Sequence, residues 1–129
     1  MYPAEKHILV IDSDTRRRLQ TERLLRDEGL PVTAVGEGFS ALRAAGMGRF
    51  ELAVVALDLP GALDGGETLR QLRLRQPWLK ALYVGPARAQ PRWLDPDREE
   101  FVAAPMHRRE LLGCVFELLQ RHSAHTRAG

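Results

Sequence analysis

Short apolar runs alternate with helix-period patterns along nearly the whole chain. His7-Ile8-Leu9-Val10-Ile11 is almost continuously apolar and runs into acidic residues. A central strand buried on both faces of a parallel sheet has this character. A helix is predicted from about Thr15 to Glu28, with Ser13 or Asp14 able to cap it and Gly29 able to end it. Leu19, Leu24 and Leu25 are assigned to its inner face. Pro31 to Val35 is a second strand, Phe39 to Ala45 a short helix closed by Gly46 and Gly48, and about Glu51 to Ala56 a third strand. A helix over Gly66 to Arg75 carries apolar Leu69, Leu72 and Leu74 and stops before Pro77.

Leu79 to Val84 is the fourth strand. The stretch to Glu99 contains Pro86, Pro91 and Pro96, so any helix there is limited to about one or two turns. Glu100 to Ala103 is a short fifth strand, and Arg108 to about Arg121 a last helix with Leu111, Leu112, Val115, Leu118 and Leu119 inward. The segment 123–129 is polar and expected to be disordered, leaving one domain over 1–122.

This succession of β-α units predicts an α/β fold, a doubly wound five-stranded parallel sheet of flavodoxin-like order 2-1-3-4-5, with the fourth helix short or irregular. Such sheets bind ligands where strands 1 and 3 end, which brings Asp12, Ala56 and Asp58 together.

Charge and composition narrow the options. The net charge is +2, and no apolar run approaches the roughly 20 residues of a membrane span. The start shows no signal-peptide core. The single cysteine, Cys114, cannot form an internal disulfide and reads as a small buried hydrophobe, in keeping with a reducing cytoplasm. Arg16-Arg17-Arg18 and Arg108-Arg109 read as solvated helix faces, since no aromatic interleaving or recognition helix accompanies them. No nucleic-acid or membrane partner is expected.

The segment from Glu51 through Pro60 and Gly61 to Asp64-Gly65 resembles the third strand and following loop of response-regulator receiver domains, the CheY-like family of two-component signalling. The resemblance covers about residues 6 to 120. In that family an aspartate ends the third strand, accepts a phosphoryl group, and is followed four residues later by proline; counting back from Pro60 reaches Ala56. Asp12 matches the first of the family's two acids after strand 1, and Ser13 stands at the second. Gly85 takes the place of the threonine or serine that contacts the phosphoryl oxygens, and Ala104 that of the lysine before Pro105. Phe101 matches the aromatic that changes rotamer on activation. The resemblance also implies a cis Ala104–Pro105 bond.

Of these chemical positions Asp12 alone keeps the family's residue type. A methyl group at Ala56 cannot attack phosphorus, and Asp12 with Ser13 and Ala56 should bind magnesium weakly or not at all. The expectation is a degenerate receiver that is not an enzyme, needs no cofactor and binds a signalling partner, a histidine kinase or another regulator. The face from strand 4 to the last helix is the candidate surface, for that partner or for a homodimer. Trp93 lies there beside Arg92, as an interface anchor or as a cover for the core. The alternative is an active phosphoacceptor at Asp58, or weak magnesium binding by Asp12 and Asp58. No phosphate loop or nucleophile elbow is present, and His7, His107, His122 and His125 form no convincing metal set.

Overall fold

The computed structural model describes residues 6–121. Five parallel strands, β1 (Ile8–Ile11), β2 (Val32–Val35), β3 (Leu52–Ala56), β4 (Lys80–Gly85) and β5 (Glu99–Ala103), lie in the order β2-β1-β3-β4-β5. The helices are α1 (Thr15–Asp27), α2 (Gly38–Ala45), α3 (Gly65–Arg75) and α4 (Arg108–Gln120). This is the predicted doubly wound sheet. Its register sets Ile11 beside Val55, and Ala56 beside Val84.

The continuous apolar runs have a direct cause, because the three central strands, β1, β3 and β4, bury both faces. Ile8, Val10, Val54, Leu82, Val84 and Val102 pack with Leu25 of α1 and Leu111, Val115 and Leu118 of α4. Leu9, Ile11, Val55 and Ala81 pack on the opposite side with Ala41 of α2 and Leu69 and Leu72 of α3. Two apolar layers therefore clamp one sheet, and hydrophobic burial is the main stabilising term for both.

Local rules set the helix ends, at α1 as the sequence predicts and at α3 through a cap it did not assign. Asp14 caps α1, its carboxylate accepting from the Arg17 backbone N–H at 3.0 Å. Gly29 follows the end of α1 at φ +83°, a conformation that suits glycine. Asp64 caps α3 in the same manner through the Glu67 N–H at 2.8 Å.

Leu19 departs from its assignment. It is 53% exposed, because Thr21, four residues before Leu25, takes the inner stripe of α1 instead. Leu74 also faces outward. Between β4 and β5 only a 3-10 turn, Ala87–Ala89, forms, and the proline-rich remainder is irregular. Within it Trp93 is 83% exposed, so it does not cover the core. Cys114 is half-buried against the α1–α4 layer, and burial pushes its thiol up. The segment 123–129 lies outside the described residues.

Candidate functional site at the C-terminal end of the sheet

Asp12 follows β1 directly and is almost fully buried. A buried carboxylate needs partners. Its Oδ1 accepts from the Asp14 backbone N–H at 3.0 Å. The Arg17 guanidinium supplies the rest, Nε donating to Oδ2 at 2.5 Å and NH2 to Oδ1 at 2.9 Å. This is the bidentate fork that matches guanidinium to carboxylate. The same NH2 reaches Asp58 Oδ1 at 3.2 Å, where the Asp58 side chain is 62% exposed. The hydrogen bond to Asp12 is the largest cause of the upward shift of the Arg17 guanidinium pKa. Neighbouring Arg18 donates from NH1 to the Asp12 carbonyl at 2.9 Å.

The Arg16–Arg18 cluster is thus only partly a solvated face. Arg17 and Arg18 both turn toward the loop that ends β1. Side chains in the first turn of a helix lean toward its N-terminus, and Asp12 lies there, just before the cap at Asp14. Arg17 is the site residue that sequence reasoning missed. The available signal was an arginine three residues after a capping aspartate that itself follows a strand-end acid.

Ala56 ends β3 and is buried, its methyl group the only side-chain atom at that position. The loop beyond it returns tightly. A Cβ on Gly65 would lie 2.4 Å from the Ala56 carbonyl oxygen, so the start of α3 requires glycine. Gly85 ends β4, and a Cβ there would meet Leu57 Cδ1 at 3.3 Å and Ala89 Cβ at 3.8 Å, so hydrocarbon surrounds it. The Ala104 N–H donates to the Gly85 carbonyl at 2.8 Å, and the Ala104–Pro105 bond is cis. Phe101 is half-buried on β5, in register with Tyr83 of β4. Ser13 is exposed and makes no side-chain hydrogen bond among those of the described residues. A cleft of about 380 Å³ beside this end of the sheet is lined by Asp14, Arg16, Arg17, Gln20, Ala104, Pro105 and Met106.

The structure therefore brings Asp12, Ala56, Asp58, Gly85 and Ala104 to one end of the sheet, and leaves Trp93 apart on the surface. Magnesium demands a near-octahedral shell of oxygen donors and is held through carboxylates. Both Asp12 oxygens are already bonded, and Asp58 is turned to the same guanidinium. No group of three or more His, Cys, Asp or Glu suited to a metal occurs among the described residues. The donor set does not fit a magnesium ion.

The sequence profile of the response regulator receiver domain matches residues 8–115. The chain belongs to the response-regulator receiver family. Among curated relatives, the receiver chain is 27% identical over 117 residues to the transcriptional regulatory protein TcrA of Mycobacterium tuberculosis, a match covering 88% of this chain and 46% of TcrA. It spans about half the length, or less, of such relatives. Among solved structures, a response regulator receiver protein from Sinorhizobium medicae superposes with a TM-score of 0.77 at 26% identity, over 90% of this chain and 95% of that one. The receiver domain of a sensor histidine kinase from Pseudomonas aeruginosa, solved with a magnesium ion coordinated in its active-site cleft, has a TM-score of 0.75 at 23% identity over 90% and 98% of the two chains. That second likeness bears on the fold alone. Among the described residues no helix is long and apolar enough to cross a membrane.

Proposed function

We propose that this receiver domain is a phosphorylation-independent protein-interaction module of two-component signalling, acting in the cytoplasm without a metal cofactor and without enzymatic activity. The observation that carries this reading is Ala56. The strand end that should present a nucleophile to the cleft presents a buried methyl group instead. Phosphoryl transfer depends on positioned charge. Here Ser13, Gly85 and Ala104 offer no carboxylate, strand-end hydroxyl or lysine to supply it.

Receiver domains work by engaging kinases or other regulators, and the partner here is a protein of that class. The surface we favour runs from β4 to α4 and includes exposed Trp93. An aromatic side chain of that size held in solvent is a natural anchor. Homodimerisation through the same face is the competing use.

A second reading keeps Asp58 as an unorthodox phosphoacceptor. Its exposure and its approach to Arg17 favour that reading. An amide-correlation NMR titration with magnesium and beryllofluoride, a phosphoryl mimic, separates the two. Unchanged shifts around Asp12, Ala56 and Asp58 are expected. Saturable shifts at Asp58 that spread to Phe101 would establish a working switch and overturn the proposal.

A further inference from the structure

We infer that Arg17 is the resident cation of this cleft: its guanidinium, held by Asp12 and Asp58 together, stands in for a divalent ion and latches α1 to the loop between β3 and α3. The inference rests on the phosphorylation-independent reading and adds how the pocket is held in one state.

The geometry is specific. Arg17 meets Asp12 through two donors, at 2.5 and 2.9 Å, and its NH2 goes on to Asp58 at 3.2 Å. One planar cation thus bridges two carboxylates from different elements, the service a metal ion performs with oxygen ligands. Lysine could not replace it, because an ammonium is a point charge without the fork.

Charge balance points the same way. Two carboxylates meeting at the strand ends repel each other unless a cation lies between them. At Ala104 the β5 end supplies no charge, so none competes with a guanidinium entering from the side of α1. The two legs differ in strength. The Arg17 side chain is 18% exposed and that of Asp12 6%, whereas Asp58 is largely in solvent. The Asp12 leg is therefore the anchor and the Asp58 leg the releasable end, since exposed ion pairs contribute little.

An internal competitor is tethered at very high effective concentration, so it outcompetes millimolar free ions for the same two carboxylates. Removing it should expose a weak divalent site made of Asp12 and Asp58. The test is a manganese titration of the wild type, Arg17→Met and the double variant Arg17→Met/Asp12→Asn, at constant ionic strength, read by melting temperature and by paramagnetic broadening of backbone amides. Expected are a flat response in the wild type, a saturable gain of about 3–6 °C in Arg17→Met at a tenfold excess over half-saturation, with broadening centred on Asp12 and Asp58, and no gain in the double variant. A folded Arg17→Met that ignores manganese overturns the inference, as does a wild type with the same saturable gain.

Asp58→Asn provides a second measurement that does not depend on Arg17→Met folding, because Asp58 is exposed. Hydrogen exchange of the amides at Leu57, Asp58, Leu59 and Gly61 should accelerate several-fold while β1 stays protected. Unchanged exchange in that loop overturns the latch. Failure of the underlying reading looks different. A wild type that takes up beryllofluoride yet ignores manganese sinks phosphorylation independence and leaves Arg17 as the cation. A wild type that answers to manganese alone does the reverse.

Discussion

Gly65→Ala probes the turn that places Ala56 and Asp58. The added Cβ would lie 2.4 Å from the Ala56 carbonyl oxygen, 3.0 Å from Leu57 Cα and 3.1 Å from the Ala56 carbonyl carbon. Ordinary carbon–oxygen contacts begin near about 3.3 Å, so roughly 0.9 Å must be opened. All three obstructing atoms are backbone, on the last residue of a central strand and the first of its loop, and no side chain can rotate away. Overpacking costs about 1–3 kcal/mol where side chains can adjust, and the upper end is expected here. With an unfolding entropy of about 2.1 cal/mol/K per residue, the 129-residue chain loses about 0.27 kcal/mol per degree. A destabilisation of about 3 kcal/mol therefore lowers the melting temperature by about 11 °C. The same change at Gly113 is the control. That position lies inside α4, on its exposed side, and an added Cβ there has nothing within 4 Å. Helix propensity alone should raise stability by about 0.5–1 kcal/mol, or about 2–4 °C. Calorimetry of both variants gives the stability change, and NMR shifts at Leu57 and Asp58 report the displaced loop. A Gly65→Ala protein melting within about 2 °C of the wild type would refute the close-approach argument. Equal losses at both positions would show that a generic effect of alanine had been mistaken for a steric one.

Two further predictions concern buried polar groups away from the cleft. Lys80 at the start of β4 donates from Nζ to the Leu118 carbonyl at 2.5 Å and to the Arg121 carbonyl, closing the C-terminal end of α4. Lys80→Met keeps the packed stem and removes the donors, so it should cost about 1–3 kcal/mol in urea unfolding and speed exchange of the Arg121 amide; undiminished stability would show that burying the ammonium cancels its hydrogen bonds. Burial, with help from Glu99, pushes the Tyr83 phenol up to about 12. The folded state keeps a proton there that the unfolded chain releases from about pH 10 upward. Stability linked to Tyr83 is thus complete below about pH 10 and is lost progressively as pH rises toward 12. Lys80, held below its usual value chiefly by burial, contributes with the opposite sign below about pH 10.5, so the comparison is with Tyr83→Phe. Urea midpoints at several alkaline pH values should fall more steeply for the wild type, and parallel slopes would remove Tyr83 from the account.

The one-dimensional pattern predicted the sheet order, a short or irregular helix between β4 and β5, and the gathering of Asp12, Ala56 and Asp58, and the receiver resemblance added Gly85 and Ala104. Strands buried on both faces demand continuous apolar runs, capping demands an acceptor such as Asp14, and three prolines deny the segment after β4 a regular helix. These constraints are local or strictly periodic, so they survive in a bare string of residues. The partnership of Arg17 is of another kind. Three consecutive arginines at the start of a helix differ in sequence only in their offset from the capping Asp14, and in the folded chain Arg17 and Arg18 turn inward while Arg16 stays in solvent. Asp58 joins them from a loop 41 residues away, a contact no spacing rule encodes. Leu19 and Trp93 carry the same lesson in the opposite direction. Both are apolar enough for a core, but tertiary packing had already filled the inner stripe of α1 with Thr21 and Leu25, and gave the irregular segment no helix on which to bury an indole. Periodicity assigns a side chain to a face of its own element. Which neighbour that face meets, and whether a charge finds a partner there, depends on how the elements dock.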